Sequence, residues 1–412
     1  MCGPVVATPP GLPTFSEATL GVLGHHGRPQ QHLRERAVRA PPIGSPFGFY
    51  VGEATRSACW SLQASGLMLA PTPRGPLSGL VLSWLQEQGP VDVQRATALY
   101  AESQRTGDVC VDEDFQITLW LLYELHYGGF DDVDDRWEWS PACLEVRARL
   151  EHDLEAHLRA ATTDATAAVM NRSGDVPERL FALVDDSVSP PLAGYIQRRA
   201  SRAEVVEFLM HRSIYNLKEA DPHTWAIPRL TGAAKVALVE VQYDEYGAGR
   251  PAQQHATMFA DTLRACGLDA TYGTYIDEVP AVTLNVNNTM SMFGLHRRLR
   301  GAAVGHLAAF EATSSVPARR VAMGLRRLGF PERAAAYFDE HIEADAVHEQ
   351  LMMRSVCAQL VQDDPATLEA IAFGAAACLY VDGRAGQFLL DGWAQGASSL
   401  RRQDLLPEVV GA

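Results

Sequence analysis

The chain has 412 residues, and 47% of them are apolar. This length and composition allow a large buried core and two or three domains, as is typical of a globular protein. The formal net charge of −15 argues against a nucleic-acid partner and against an anionic membrane surface, because like charges repel one another. Small molecules or proteins are the better candidates for its partners.

The cysteines and the apolar segments predict a cytoplasmic protein. The seven cysteines are scattered along the chain without any Cys-x-x-Cys pair, so neither a disulfide framework nor a zinc knuckle is indicated. No apolar stretch approaches the roughly 20 residues that are needed to span a bilayer. The N-terminus also lacks the basic start and apolar core of a secretion signal.

The N-terminal part of the chain divides into two predicted regions. Residues 1–75 are rich in proline and glycine, which excludes long helices, and we expect an extension or an irregular cap there. From residue 76 the pattern becomes helical and defines an N-terminal helical region at 76–170. Its helices are expected at 79–88, 92–105, 113–127 and 141–161.

A second helical block, assigned to residues 171–400, follows this region. The only strand-like stretch is Ala281 to Val286, which is too little to build a sheet. The predicted fold class is therefore all-α. Helices are expected at 201–219, 231–246, 252–266, 294–313, 317–328, 331–361 and 366–381.

The most informative segment runs from residue 339 to residue 348. A helix turns about 100° per residue, so it places His341, Asp345 and His348 within about 60° of one another on one face. Nitrogen and oxygen donors without a thiolate suit iron, manganese or zinc. Carboxylates from other helices would favour a dinuclear site over a single zinc ion. The alternative is a solvated helix face that carries two incidental histidines.

Three other segments offer the remaining donors. Glu219 stands at a helix end before Pro222, where an anion opposes the helix dipole, although it could also be an exposed glutamate. Glu245 lies ten residues before His255, and the Gly-Ala-Gly-Arg-Pro interruption between them can turn both side chains toward one centre. Glu311 lies in an apolar helical run, where burial without a partner would be costly.

With these residues the sequence resembles the haem-oxygenase-like diiron oxidases and oxygenases, over about residues 175–400. The segments Lys-Glu-Ala-Asp-Pro-His-Thr-Trp-Ala-Ile-Pro and Asp-Glu-Tyr-Gly-Ala-Gly-Arg-Pro are similar to bacterial proteins described as iron-containing redox enzymes. The Glu-x9-His spacing is similar to the branch that contains the N-oxygenase of nitrosourea biosynthesis. The resemblance implies a haem-oxygenase-like helical bundle with seven metal ligands, namely Glu219, Glu245, His255, Glu311, His341, Asp345 and His348.

The resemblance also implies a cofactor and a reaction class. The cofactor would be two Fe(II)/Fe(III) ions with O2 as co-substrate, and four carboxylates would balance the charge of two ferrous ions. The implied activity is N-oxygenation of a small amine or amino-acid-like substrate in natural-product biosynthesis, with oxidative C–C or C–H cleavage as the alternative. An external electron donor and a homodimer are the expected protein partners. Apart from the resemblance, His223 and His306 could hydrogen-bond to the ligands, and the alternative for each is a position on the surface.

Two other function classes remain open, and they are a dinuclear metallohydrolase with manganese or zinc and a non-catalytic helical protein that binds a partner through residues 76–165. Glu207 and His211, four positions apart, form a rival ligand pair that could also simply interact with one another. Glu124 and His126 lie about 200° apart around a helix, so they cannot share one metal ion. The sequence has no Glu-x-x-His motif, which argues against the ferritin-like diiron pattern.

Overall fold

The computed structural model describes residues 68–103 and 107–401, and every regular element in these ranges is a helix. The all-α prediction is therefore confirmed. Most of the expected N-terminal extension, residues 1–67, lies outside the described residues. The first half of the described chain contains α1 (Pro76–Leu85), α2 (Val93–Ser103), α3 (Glu113–Glu124), α4 (Pro141–Ala161), α5 (Thr163–Asn171), α6 (Val176–Asp186), α7 (Leu192–Arg198) and α8 (Arg202–Asn216).

The second half supplies the helices that surround the candidate site. They are α9 (Asp221–Thr224), α10 (Gly232–Glu245), α11 (His255–Ala265), α12 (Ala281–Leu295), α13 (Arg300–Arg327), α14 (Ala336–Gln350), α15 (Ala358–Asp363) and α16 (Thr367–Ala394). A seven-residue π-helix, Leu351–Cys357, joins α14 to α15. Among the described residues, no helix combines the length and the apolar character that a membrane span requires. The predicted boundary near residue 170 stays a prediction.

Local sequence signals explain where several helices begin. The Ser201 side chain accepts a hydrogen bond from the backbone N–H of Glu204, and the Glu204 carboxylate accepts one from the backbone N–H of Ser201. This reciprocal pair satisfies two backbone donors that would otherwise be free at the start of α8. Proline occupies the first position of α4, where its missing N–H costs nothing. The reciprocal pair at Ser201 and Glu204 fixes the start of α8, the helix that leads to Glu219.

The longest helices, α13 and α16, cross with their backbones in contact. A Cβ atom added at Gly305 would lie 2.0 Å from the carbonyl oxygen of Ile371, and one added at Gly374 would lie 2.0 Å from that of Ala302. Only glycine permits so close an approach from both sides. Because Glu311 lies less than two turns beyond Gly305 on α13, this crossing helps to fix the position of the Glu311 side chain.

Three sequence expectations about helices are wrong. The strand-like stretch Ala281 to Val286 forms the first turns of α12, and its residues are buried on every side, so no helical period shows in the sequence. Pro317 lies inside α13 and does not separate two helices, because packing on either side of it offsets the one lost backbone hydrogen bond. The single helix expected at 331–361 is interrupted by the π-helix.

The close helix crossing yields a stability prediction. Gly374→Ala should lower the free energy of unfolding by about 1–3 kcal/mol or more, because the new methyl group collides with backbone that cannot move aside. Gly383→Ala, in the same helix, is the matched control, since its nearest neighbour would be a Pro190 carbon at 3.8 Å. That variant should gain about 0.5–1 kcal/mol from reduced backbone entropy. Urea unfolding followed by circular dichroism measures both, and equal stabilities would contradict the crossing geometry.

Candidate metal centre

The structure brings all seven predicted ligands into one buried region. It lies between the C-terminal end of α8 and helices α10, α11, α13 and α14. Each of the seven is at most 8% exposed, which excludes the solvated-face alternative for α14 and the exposed alternative for the glutamate after α8. The residues are Glu219, Glu245, His255, Glu311, His341, Asp345 and His348.

A glycine-containing turn carries the chain from α10 into α11. Gly247, Ala248 and Gly249 all have positive φ angles, of 79°, 51° and 78°. This left-handed conformation suits glycine and turns the chain back sharply. As a result Glu245, the last residue of α10, and His255, the first residue of α11, face one another with Oε2 and Nδ1 2.9 Å apart. The interruption seen in the sequence does direct both side chains toward one centre.

The first donor group consists of two carboxylates and two imidazoles. One atom from each of Glu219, Glu245, His255 and His341 lies within 4.8 Å of the other three. The Nδ1 atom of His255 is 3.5 Å from Oε1 of Glu219, and Nε2 of His341 is 3.6 Å from the same oxygen. Four buried oxygen and nitrogen donors at these separations could surround one metal ion.

The second donor group shares a residue with the first. Glu245, Glu311 and His348 lie within 4.8 Å of one another, and Nδ1 of His348 is 3.4 Å from Oε1 of Glu245 and 3.5 Å from Oε2 of Glu311. The two oxygens of Glu245 therefore face two different groups, with Oε2 toward His255 and Oε1 toward His348. A carboxylate placed in this way can bridge two cations.

Asp345 stands outside both groups but beside them. It lines a void of about 10 Å³ together with Glu219, Glu245, Glu311 and other residues. That volume is about the size of one water molecule or one ion. The Oδ2 atom of Asp345 is buried and has no hydrogen-bond partner among the described residues. It is therefore available as a further oxygen donor to the same centre.

Unpaired buried atoms show that the donor set fits a metal. Like Oδ2 of Asp345, Oε1 of Glu219 and Nδ1 of His348 make no hydrogen bond of normal geometry with the described residues. A buried polar atom without a partner costs about 1–3 kcal/mol. Glu219 and Asp345 line the small void, and Nδ1 of His348 lies beside Glu245 and Glu311, which also line it. A cation held by these residues would be the missing partner.

The electrostatics of the donors agree with this interpretation. Burial by itself would lower the pKa of His341, but the Glu219 carboxylate outweighs burial and raises that pKa to about 10. Burial also opposes the charged form of His348, whose pKa two neighbouring carboxylates raise to about 11. Burial and the charge of Glu311 raise the pKa of Asp345 to about 9. Without a metal, protons must supply the positive charge that these carboxylates require.

Residues around the donors orient them. The Nδ1–H of His341 donates to the carbonyl oxygen of Tyr337 at 2.7 Å, which leaves Nε2 as the free donor atom. Oε2 of Glu219 accepts hydrogen bonds from Asn216 at 2.9 Å and from the Tyr337 hydroxyl. Nε2 of His348 lies 3.3 Å from Oδ2 of Asp244. Metal-binding histidines usually have such a partner on the second ring nitrogen.

The rival pair Glu207 and His211 belongs to a separate network. Oε2 of Glu207 accepts hydrogen bonds from Nε1 of Trp393 and from the backbone and hydroxyl of Ser399 at 2.7–2.8 Å. The two ring nitrogens of His211 contact the hydroxyls of Thr283 and Ser399 at 2.6 and 3.1 Å. The pair therefore attaches the C-terminal segment to α8 and does not contribute to either donor group.

The other polar pairs are also separate from the donors. Glu124 forms a buried ion pair with Lys218, while His126 contacts Arg147. Glu124 and His126 therefore have different partners. His223 and His306 lie against one another with ring nitrogens 3.3 Å apart. Both are buried, which excludes a surface position, and the backbone of Glu219 interacts with the His223 ring. No hydrogen bond from either ring to a side chain of the seven donors is found among the described residues.

Sequence patterns did not identify the residues that orient the donors. Tyr337, Asn216 and Asp244 are close to ligands along the chain, four residues before His341, three before Glu219 and one before Glu245. Helical spacing places Tyr337 and His341 on one face and so could have identified Tyr337. No local pattern distinguishes Asn216 or Asp244 from other polar residues at helix ends.

The fold and the cluster together define an all-helical protein with a buried centre of metal-binding type. Residues 206–383 match the family model of the iron-containing redox enzymes, and all seven donors lie within that span. These residues are therefore similar to a family of iron-containing redox enzymes with a haem-oxygenase-like helical fold. The match suggests an oxidoreductase role.

Two crystal structures are also similar to the chain. Both are of a CADD-like protein of unknown function from Nostoc punctiforme, with identities of 20% and 18% and TM-scores of 0.43 and 0.41. The similarity covers 54% of this chain and 96% or 95% of that protein. No curated protein matches the chain.

The separate role of His211 gives a pH prediction. Burial lowers the pKa of His211 from 6.5 to about 4. Between pH 6.5 and 4, His211 is therefore protonated in the unfolded chain and neutral in the folded chain. The stability that neutral His211 contributes is thus present above pH 6.5 and is lost as the pH falls toward 4, by at most about 1.4 kcal/mol per pH unit. His211→Gln should flatten the decline in unfolding free energy between pH 6.5 and 5, measured in urea. Loss of bound iron in this variant would instead place His211 in the metal centre.

Proposed function

We propose that the protein is a non-haem diiron oxygenase or oxidase that uses O2 to oxidise a small amine. The observation that carries this proposal is the position of Glu245, whose two oxygens face two separate donor groups. One iron ion would be held by the first group and a second by the other. The first group is Glu219, Glu245, His255 and His341, and the second is Glu245, Glu311 and His348 with Asp345 beside them.

The donor chemistry supports two iron ions over other metals. Seven donors exceed what one octahedral ion can use, and Glu245 would serve as the shared ligand. The set has three imidazoles, four carboxylates and no thiolate, which suits iron better than a structural zinc ion. Four carboxylates would neutralise two ferrous ions, so the loaded centre would carry no net charge inside an apolar helical interior. The match of residues 206–383 to a family of iron-containing redox enzymes agrees with this assignment.

Iron bound in this centre would supply the electrons that reduce O2. The protein's own residues orient the donors and keep water out. Tyr337 and Asn216 hold the Glu219 carboxylate, and the Tyr337 carbonyl fixes the His341 ring. Leu307 and Phe310 line the central void and leave little room for bulk water.

N-oxygenation is the preferred reaction, and the Glu-x9-His spacing of Glu245 and His255 supports it. Oxidative C–C or C–H cleavage by the same cofactor is the alternative, and substrate screening would separate the two. A metallohydrolase would turn over without O2, whereas the proposed enzyme should consume O2 only when a substrate amine is present. A cytoplasmic location, an external electron donor, a homodimer and a role in natural-product biosynthesis stay predictions.

The shared carboxylate gives a prediction about metal content. The full-length protein loaded anaerobically with Fe(II) should bind about two iron ions per chain. Glu245→Ala should lose both, because each donor group contains this residue, while Glu311→Ala should lose about one and keep its helical circular-dichroism spectrum. Glu240→Ala is the matched control, since Glu240 is an exposed acid on the same helix as Glu245. Metal analysis that gives one ion per chain, or a zinc ion that iron does not displace, would contradict the proposal.

A second comparison tests Asp345 on the ligand helix. Asp345→Ala should lower the iron content and abolish O2-dependent turnover, because it removes a buried donor from the centre. Glu340→Ala, an exposed acid on the same helix, should keep both and change the unfolding free energy by less than about 0.5 kcal/mol. Iron analysis and O2 consumption measure the difference. Equal iron binding by the two variants would remove Asp345 from the metal centre.

A further inference from the structure

A cavity of about 190 Å³ lies beside the metal centre, between α8, α12, α13, α14 and α16. Tyr215, Phe310 and His341 line both this cavity and the central void, so the two spaces adjoin. Arg212 and Asp382 mark its outer end, since their side chains are 31% and 55% exposed. The cavity therefore extends from the protein surface to the donor His341.

The size and walls of the cavity limit what it can hold. Phe208, Val286, Phe338 and Leu389 contribute buried apolar surface. A cavity of about 150 Å³ with apolar walls binds benzene in a well-studied protein, so this cavity can accept a body of roughly aromatic-ring size with a short side arm. A long alkyl chain would not fit within it.

Asn287 is the polar residue that this apolar environment does not explain. Helix α12 carries three buried asparagines, and two of them, Asn285 and Asn288, hydrogen-bond to Gln116 of α3. Asn287 instead lines the cavity and is 2% exposed, and its side chain makes no hydrogen bond with any described residue. Its Oδ1 atom is fully buried without a partner. Such an atom costs stability unless a ligand satisfies it.

Two contacts show that Asn287 lies at the inner end of the cavity. His211 contacts Thr283, and Pro222 lies against Gly294, where an added Cβ would be 2.2 Å from the Pro222 oxygen. Both contacts join residues 72 positions apart, so α12 runs parallel to the segment from α8 to α9. Asn287 is consequently level with residues 215 and 216, one turn closer to Glu219 than His211 is.

Asn216 supplies a second unpaired acceptor at this level. Its Nδ2 atom donates to the carboxylate of Glu219 and to Tyr337. A carboxylate accepts hydrogen bonds, so the amide orientation of Asn216 is fixed with Oδ1 on the other side. That Oδ1 atom is buried and has no partner, and Asn216 lines the cavity.

We propose that this cavity is the substrate site and that it selects a primary amine with an aromatic-sized apolar body, whose nitrogen donates to Oδ1 of Asn216 and Oδ1 of Asn287. A primary amine offers at least two N–H donors to two acceptors, whereas a hydroxyl offers one and a carboxylate none. The apolar body fills the outer cavity. The inference rests on the proposed function for its reaction, but amine binding itself does not require iron chemistry.

The test compares three probes on the full-length, iron-loaded protein under anaerobic conditions by isothermal titration calorimetry. Phenethylamine carries both features, phenethyl alcohol lacks the amine, and ethylamine lacks the apolar body. We expect phenethylamine to bind at least tenfold more tightly than either of the others. Equal affinities for the amine and the alcohol would overturn the proposal, whatever the behaviour of the variants.

Variants of Asn287 locate the selectivity. Asn287→Leu should weaken phenethylamine binding at least tenfold and phenethyl alcohol binding less than threefold. Its melting temperature should stay the same or rise, because an unpaired buried polar atom has been removed. Asn287→Asp keeps acceptor oxygens and should retain the amine preference. An equal loss of both probes in Asn287→Leu would show that Asn287 only shapes the cavity and would overturn its assigned role.

Metal analysis of the same samples separates this inference from the proposed function. A protein that binds two iron ions but does not discriminate between amine and alcohol overturns the substrate assignment alone. A protein that prefers the amine but holds no iron supports the substrate assignment and contradicts the diiron proposal. Titration of the metal-free protein with phenethylamine shows directly whether the amine binds without iron.

Discussion

The shared position of Glu245 is the constraint on which the rest of the centre depends. Its carboxylate lies between two imidazoles, one on α11 and one on α14, and each of its oxygens faces a different one. Four acids and three histidines are buried around it in a helical interior. Mutual repulsion among the acids must be offset by cations or protons, so the packing of α10, α11, α13 and α14 depends on positive charge in the centre.

The ligand helix α14 is followed directly by a π-helix, and this arrangement has a physical reason. Three donors on α14 face the centre, whereas Met352 and Met353 in the π-helix are both fully buried against other helices. Adjacent residues are separated by a smaller rotation in a π-helix than in an α-helix, so these two side chains can lie on one face. The wider π-turns change the direction of the following side chains, and such π segments are frequent beside functional sites.

The sequence predicted the donors better than the elements that carry them. His341, Asp345 and His348 follow helical spacing, and the Gly-Ala-Gly-Arg-Pro turn is visible beside Glu245, so local patterns were sufficient for these residues. Half of the residues in the stretch Ala281 to Val286 are β-branched, and the stretch is buried on every side, so its sequence shows no helical period. Pro317 interrupts a pattern but not a helix, because tertiary packing holds α13 together. In both stretches, contacts with distant segments of the chain and not the local sequence determine the helical structure.

The buried polar atoms without hydrogen-bond partners fall into two groups that need different kinds of ligand. Unpaired atoms belong to Glu219 and Asp345, which line a void of ion size, and to His348 in the adjacent donor group. The charge of these carboxylates calls for a cation. Amide oxygens of Asn216 and Asn287 are neutral, so a hydrogen-bond donor is sufficient to satisfy them. Asn216 belongs to both regions, because its nitrogen holds Glu219 while its oxygen remains free. A ligand bound to that oxygen is therefore placed next to the metal centre by the same side chain that orients one of its donors.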